Sequence, residues 1–138
     1  MNVLAKIYDF YQTSKQGIRE YSWDLFAYFF VKIYLILLAA ANLALWGVAI
    51  YINTNLQSSR IALHYNVDFG INLVGNARQI FIIPILGIII ILLNLAIIFS
   101  ISKNKERVVI AHMLLMASLL ANIILIMAIA AIFLINFR

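Results

Sequence analysis

Three side chains that can bind metals or move protons alternate along one short stretch: His64, Asn66 and Asp68. In extended chain this two-residue spacing places all three on one face. Metal sites usually draw ligands from several parts of a fold, and the sequence contains no cysteine. We therefore interpret the face as a hydrogen-bonding surface and predict no metal or cofactor. His112 has no acidic residue or second histidine at ligand spacing and is interpreted as an interfacial histidine.

Two sequence motifs in the same region suggest catalysis but lack the residues that would complete them. Asp68-Phe69-Gly70 spells a kinase signature without the glycine-rich loop, lysine and catalytic loop that accompany it. Gly70 and Gly75 have the spacing of a phosphate loop, but no Lys and Ser/Thr follow. The uncharged segments contain no nucleophile–base pair, carboxylate pair or metal cluster. The sequence predicts no catalytic residue and no enzyme.

Three side-chain amides that can form hydrogen bonds lie inside the apolar segments: Asn42, Asn94 and Asn122. An amide in hydrocarbon needs a hydrogen-bond partner, and neighbouring helices supply one. We predict that these side chains hold helices together. The alternative is a polar path or ligand site in the middle of the bundle. Small residues line one face of two segments: Ala40, Ala44 and Gly47 in the first, and Ala117, Ala121, Ala128 and Ala131 in the third. Such stripes let helix backbones approach closely, so they predict helix packing, either within the chain or between chains.

The segments that carry these residues are long enough to cross a membrane. The chain is 66% hydrophobic and 11% charged, which is too apolar for a soluble domain. Ionised residues are absent from Ile33–Ser59, Gln79–Ser102 and Val108–Phe137. A membrane-spanning helix needs about 20 apolar residues, so the pattern predicts three spans in a lipid bilayer.

The expected fold is an all-α membrane protein of two parts. Residues 1–24 alternate apolar and charged side chains at near-helical spacing, which predicts an amphipathic helix in the membrane interface; a tail that extends the first span is the alternative. Residues 25–138 form a membrane domain with spans at about 25–52, 79–101 and 108–137. The connection at 53–78 is too long for a tight turn.

The distribution of Lys and Arg predicts the orientation of the spans. The N-terminal segment and the 102–107 connection share one side, and the 53–78 connection and the C-terminus share the other. The first side carries six positive residues, Lys6, Lys15, Arg19, Lys103, Lys105 and Arg107, and the second carries three, Arg60, Arg78 and Arg138. The positive-inside rule then places the N-terminus in the cytoplasm and the C-terminus outside. Because the positive charge is dispersed, it does not indicate nucleic-acid binding.

The outer connection has a two-sided pattern. Apolar and polar residues alternate strictly from Leu63 to Leu73, which predicts extended chain. An extended segment must pair its backbone groups. A hairpin turning near Asp68-Phe69-Gly70, pairing with another copy or protein, and a segment lying flat on the membrane all remain open. We predict that the segment is ordered and docked on a partner, through the candidate recognition residues His64, Tyr65, Asn66, Asp68, Phe69 and Gly70.

One stretch of this connection carries a family resemblance. Leu63-His64-Tyr65-Asn66 followed by Gly70, with Pro84 early in the next span, resembles the outer-loop motif of immunity proteins for the sporulation-delay toxin and of their relatives of unknown function. The chain departs from that motif at Ala62, which replaces a proline, and in the position of the glycine, one residue late. The acidic residue that follows the glycine in that motif is also missing. The resemblance implies an envelope protein of toxin immunity or signalling.

The sequence therefore predicts a small non-catalytic integral membrane protein. The first expectation is an accessory or structural subunit that associates with other membrane proteins or with itself. The alternative is an envelope immunity or sensing protein. A third possibility, an oligomeric channel or transporter component, would need polar residues that converge on a pore.

Overall fold

A computed structural model describes residue 8 and residues 28–56, 60–66, 70–101 and 106–137; at 64–66 and 70–72 it describes the backbone alone. In chain order the elements are helix α1 (Phe29–Asn55), strands β1 (Arg60–Asn66) and β2 (Gly70–Asn76), a 3-10 helix (Ala77–Phe81), and helices α2 (Ile82–Ser100) and α3 (Arg107–Asn136). The amphipathic helix expected within residues 1–24 lies outside the described residues, residue 8 excepted.

The predicted three-span all-α fold is confirmed. Three helical stretches, Phe29–Asn55, Ala77–Ser100 and Arg107–Asn136, are long and apolar enough to cross a membrane. The protein is therefore a multi-pass integral membrane protein in a lipid environment. The first span ends three residues later than predicted, because Thr54 and Asn55 donate side-chain hydrogen bonds to the carbonyls of Ile50 and Tyr51 in the last turn. These side-chain bonds add to the backbone hydrogen bonds of the last turn, and the Leu56 N–H closes the helix by donating to the Ile52 carbonyl.

Helices α1 and α3 each bury one narrow row of residues, spaced mostly three or four apart. The α1 row includes Leu38, Asn42 and Leu45 and the α3 row includes Leu115, Ser118 and Asn122. Such spacing keeps a single seam facing a neighbouring helix. Both α1 and α2 pack mainly on α3 and touch each other much less. Helix α3 is thus the centre of the bundle.

The buried rows stack into two apolar layers with a polar layer between them. The layer nearer the hairpin contains Leu45, Ala49, Ile52, Ile61, Ala77, Ile80, Ile129 and Ile132. The layer at the other end contains Val31, Leu38, Ile98, Ala111 and Leu115. The buried polar side chains are those of Asn42, Ser118 and Asn122 among the residues that the structure describes. All three lie between the two apolar layers along their helices.

The connection after α1 forms an antiparallel hairpin of β1 and β2. The pairing runs from Arg60 opposite Asn76 to Asn66 opposite Gly70, with irregular register around His64. Of the alternatives that the sequence left open, the hairpin is confirmed. The register shifts on either side of His64 interrupt the strict two-residue period of the sequence pattern. The hairpin supplies its own backbone pairing, so a partner is not needed for that purpose.

The hairpin and Glu106 lie at opposite ends of α2, which predicts opposite sides of the membrane. The natural chain has no cysteine, so Val74→Cys and Glu106→Cys each introduce one thiol. A membrane-impermeant maleimide added to sealed, oriented vesicles should label one variant only. From the Lys and Arg distribution we expect Val74→Cys to be labelled from outside. Equal labelling of both variants would contradict a span between them.

Candidate functional site

The polar layer begins with Asn42 at the middle of α1. Its side chain is 7% exposed, and its amide Nδ2 donates to the carbonyl of Pro84 at 3.1 Å. Pro84 lies in the first turn of α2, so this bond joins the first and second spans. Asn42 therefore makes the interhelical contact that its position in an apolar span predicts.

A second polar contact joins the second and third spans. Asn94 Nδ2 donates to Ser118 Oγ at 2.7 Å, and the same hydroxyl donates to the carbonyl of Leu114 at 3.0 Å. Ser118 is fully buried, and its hydroxyl both accepts and donates a hydrogen bond. Through these two bonds the hydroxyl links α2 to the backbone of α3.

The hydrogen bonding of Asn122 differs from the predicted contact between helices. Its Nδ2 donates to the Ser118 carbonyl within its own helix at 3.0 Å. Its Oδ1 is fully buried and accepts no hydrogen bond from any described residue. That oxygen faces Gly87 of α2: a Cβ added there would lie 2.7 Å from Asn122 Oδ1 and 2.7 Å from Asn42 Nδ2. Asn122 thus approaches α2 closely over a glycine and makes no interhelical hydrogen bond to a described residue.

The hairpin is attached to the end of α3 by Asn136. The Ala62 N–H donates to Asn136 Oδ1 at 2.9 Å, and Asn136 Nδ2 donates to the Ala62 carbonyl at 2.9 Å. One side-chain amide therefore pairs with β1 as a neighbouring strand would. Asn136 Nδ2 also donates to the Ile132 carbonyl at 2.8 Å, which fixes the side chain on its own helix. Sequence reasoning missed Asn136; its place within the last turn of an apolar span was the available signal.

A capping box connects β2 to the second span. Asn76 Oδ1 accepts from the Arg78 N–H at 2.9 Å, and Gln79 Oε1 accepts from the Asn76 N–H at 3.0 Å. The Gln79 side chain lies over Gly75, together with Leu63, in the space that a Cβ would occupy. A larger residue there would displace the ends of the Leu63 and Gln79 side chains, and with the latter the bond to the Asn76 N–H. The Asn-x-x-Gln spacing is the sequence signal for this cap.

The predicted recognition residues lie along the hairpin. The backbone of His64, Tyr65 and Asn66 forms the end of β1, and Gly70 begins β2. Asp68 and Phe69 lie outside the described residues. At the base of the hairpin Ile61 is buried, whereas Leu73 and Val74 on β2 are 54% and 56% exposed. The hairpin therefore has a packed strand, β1, and an exposed strand, β2.

His112 lies at the opposite end of the bundle, in an aromatic cluster. Its ring meets Phe30 edge-on at 5.6 Å and Tyr34 at 5.3 Å between ring centres. The interpretation as an interfacial histidine stays a prediction. Among the side chains that the structure describes, no three His, Cys, Asp or Glu residues come together.

The small residues expected to form packing stripes mostly face away from the bundle. Ala40, Ala44 and Gly47 on α1 are exposed, as are Ala117, Ala128 and Ala131 on α3. Packing within the chain uses other small residues, chiefly Ala49, Gly87 and Ala111. Of the two possibilities for the stripes, packing within the chain is wrong for these positions.

Comparisons of this chain with protein-family models, curated proteins and solved structures give no match. The site must therefore be interpreted from its own geometry.

Because Asn42 and Asn122 both approach Gly87, we expect that one methyl group added at this position destabilises the bundle. Gly87→Ala should lower the free energy of unfolding in mild detergent by about 1–3 kcal/mol, because the added carbon overlaps both Asn42 and Asn122. Gly47→Ala is the matched control, since no atom lies within 4 Å of a Cβ there. Equal losses for the two variants would show that the helices do not meet at Gly87.

Attachment of the hairpin by Asn136 is tested by amide hydrogen exchange. Asn136→Leu leaves the Ala62 N–H and carbonyl without their partner, at a cost of about 1–3 kcal/mol. Exchange at the Ala62 amide should accelerate, while exchange in the central turns of α3 stays slow. Asn55→Leu is the control, because that amide bonds only Tyr51 and Thr54 of its own helix. Unchanged protection of Ala62 in Asn136→Leu would contradict the attachment.

Proposed function

We propose that this membrane protein is a non-catalytic accessory subunit whose hairpin binds another protein at the membrane surface. The observation that carries the proposal is the asymmetry of the hairpin. Strand β1 is held by Asn136 and by the burial of Ile61 at 1% exposure. Strand β2 exposes Leu73 and Val74.

The edge of β2 is the part of this surface that suits a protein partner. The sheet described has two strands in the order β1-β2, so the outer edge of β2 has no strand beside it in the described part of the chain. An open edge with exposed apolar side chains gains both backbone bonds and apolar burial when an extended segment pairs with it. Natural proteins usually protect such edges. A permanent partner provides that protection.

The polar layer supports a structural role for the helices. The Asn42 amide nitrogen, the Asn94 amide nitrogen and the Ser118 hydroxyl are all engaged in bonds that join or brace helices. A channel or a proton relay needs polar groups that line a continuous path and change partners during transport. An intramembrane enzyme needs a nucleophile beside a base. The accessory role requires neither.

The alternative function is envelope immunity or sensing. The segment Leu63-His64-Tyr65-Asn66, which resembles the outer-loop motif of toxin-immunity proteins, lies on β1 of the same hairpin. In that case the hairpin would bind a toxin or signal protein transiently. The two functions share a binding surface and differ in the identity and permanence of the partner.

One exposed residue on β2 provides the test. Val74→Lys places a charge on the exposed strand and should abolish copurification of the partner from native membranes in mild detergent, because a charged edge resists strand pairing. The melting temperature of the helices should not change. Thr54→Lys is the control, since Thr54 is exposed at the end of α1 on the same side of the membrane.

The copurifying protein distinguishes the functions. A resident membrane protein in fixed proportion supports the accessory role, and a secreted toxin or signal protein supports immunity or sensing. A second copy of the chain, detected with two different tags, would indicate a homo-oligomer. A monodisperse protein with no partner in either variant would contradict the accessory role.

A further inference from the structure

We infer that the groove between α1 and α2 binds a transmembrane helix of another protein that carries a hydrogen-bond donor at mid-membrane depth. This inference rests on the proposed accessory role and names the chemistry of the partner's membrane segment. It concerns a surface within the bilayer, separate from the hairpin.

The groove arises from the arrangement of the three helices. Because α1 and α2 both pack on α3 and touch each other little, the side of the bundle between them is open. The opening has a volume of about 440 Å³. Its walls include Ala39 and Leu43 on α1 and Ile88 and Leu92 on α2. A fourth helix laid between α1 and α2 would complete a four-helix bundle.

Asn42 is the polar residue that lines this groove. Its Nδ2 donates to Pro84, but its Oδ1 accepts no hydrogen bond from the described part of the chain. Of the amide oxygens there, only that of Asn122 is both unpaired and completely enclosed. The Asn42 oxygen is therefore not completely enclosed, and the opening that Asn42 lines is this groove. Asn42 is the middle residue of α1 (Phe29–Asn55), about 20 Å from either end at 1.5 Å per residue.

An unpaired carbonyl oxygen at that depth favours a groove ligand that can donate a hydrogen bond. Water is absent from the hydrocarbon, and saturated lipid chains have no donor. A donor must therefore come from a solute that reaches the middle of the membrane. A serine or threonine hydroxyl or an asparagine or glutamine amide on a transmembrane helix meets this requirement, and such bonds stabilise helix pairs in membranes.

A second copy of this chain does not supply that donor from its exposed faces. In the central turns, residues 36–44, 85–93 and 116–124, every exposed side chain described is Ala, Leu, Ile or Met. None of these can donate a hydrogen bond. The half-buried Asn94 already donates to Ser118. The complementary surface therefore belongs to a different protein.

Two synthetic transmembrane peptides serve as probes, each a leucine-rich helix with either Asn or Leu at its centre. The full-length protein, labelled through Thr54→Cys, is placed in phosphatidylcholine vesicles at high lipid dilution, and energy transfer to labelled peptide measures binding. The Asn peptide should bind about 3- to 30-fold more tightly than the Leu peptide, the range for one interhelical hydrogen bond.

Two variants assign that preference to the groove. Asn42→Leu should remove the preference for the Asn peptide, and Asn94→Leu, outside the groove lining, should retain it. Ala39→Phe fills the groove without altering the Asn42–Pro84 bond and should weaken binding of both peptides. This second variant tests the site even if Asn42→Leu fails to fold.

Three results would overturn the inference. They are equal binding of the two peptides to the natural sequence, a preference that survives Asn42→Leu or an affinity that Ala39→Phe leaves unchanged, and energy transfer between two labelled copies that Asn42→Leu abolishes. The last result would assign the groove to a second copy. Val74→Lys should leave peptide binding unchanged, so failure at the groove is distinguishable from failure of the hairpin proposal.

Discussion

Hydrocarbon offers polar groups no partner, and this constraint governs the arrangement of the bundle. Each amide in the spans must find its partner in protein or remain unpaired at a cost of roughly 1–3 kcal/mol. The amide nitrogens of Asn42 and Asn94 meet the requirement across helices, and Asn136 meets it across the junction between helix and strand. Because these bonds connect particular residues, they set the register of helices that are otherwise apolar on all sides.

The polar layer also explains why one glycine lies where it does. The amides of Asn42 and Asn122 both approach α2 at Gly87, so the absence of a side chain there lets α1 and α3 close on α2 at the same level. Gly47, by contrast, has no such neighbours and faces open space. The value of a small residue therefore depends on the side chain opposite it, and a stripe of alanines alone does not locate an interface.

The sequence was sufficient to predict the three spans but not which face of each span is buried. Uncharged runs predicted three helices because length and hydropathy decide insertion. The buried rows could not be predicted, since Leu38 in the core and Leu37 toward lipid are the same residue type. Asn42 and Asn94 were identified because a polar group stands out in an apolar span. Gly87 and Asn136 were missed because their roles depend on contacts 35 to 74 positions away in the chain. The hairpin was one of several alternatives that alternation alone could not separate, and the register shift at His64 breaks that alternation.

Apolar surface cannot select a partner within a membrane, because lipid tails and leucine side chains are nearly equivalent as neighbours. Most of the exposed surface of this bundle is of that kind. Selectivity must then come from shape, from backbone edges and from the few polar atoms left unpaired. The chain has each of these in a defined place: the groove beside α2, the edge of β2, and the amide oxygen of Asn42.

The hairpin is also fixed relative to the groove, because Ile61 packs in the same apolar layer as Leu45 and Ile129. A partner with a transmembrane helix and an extended segment outside the membrane would therefore meet two surfaces at a constant separation, and simultaneous binding at both would strengthen the association without further contacts.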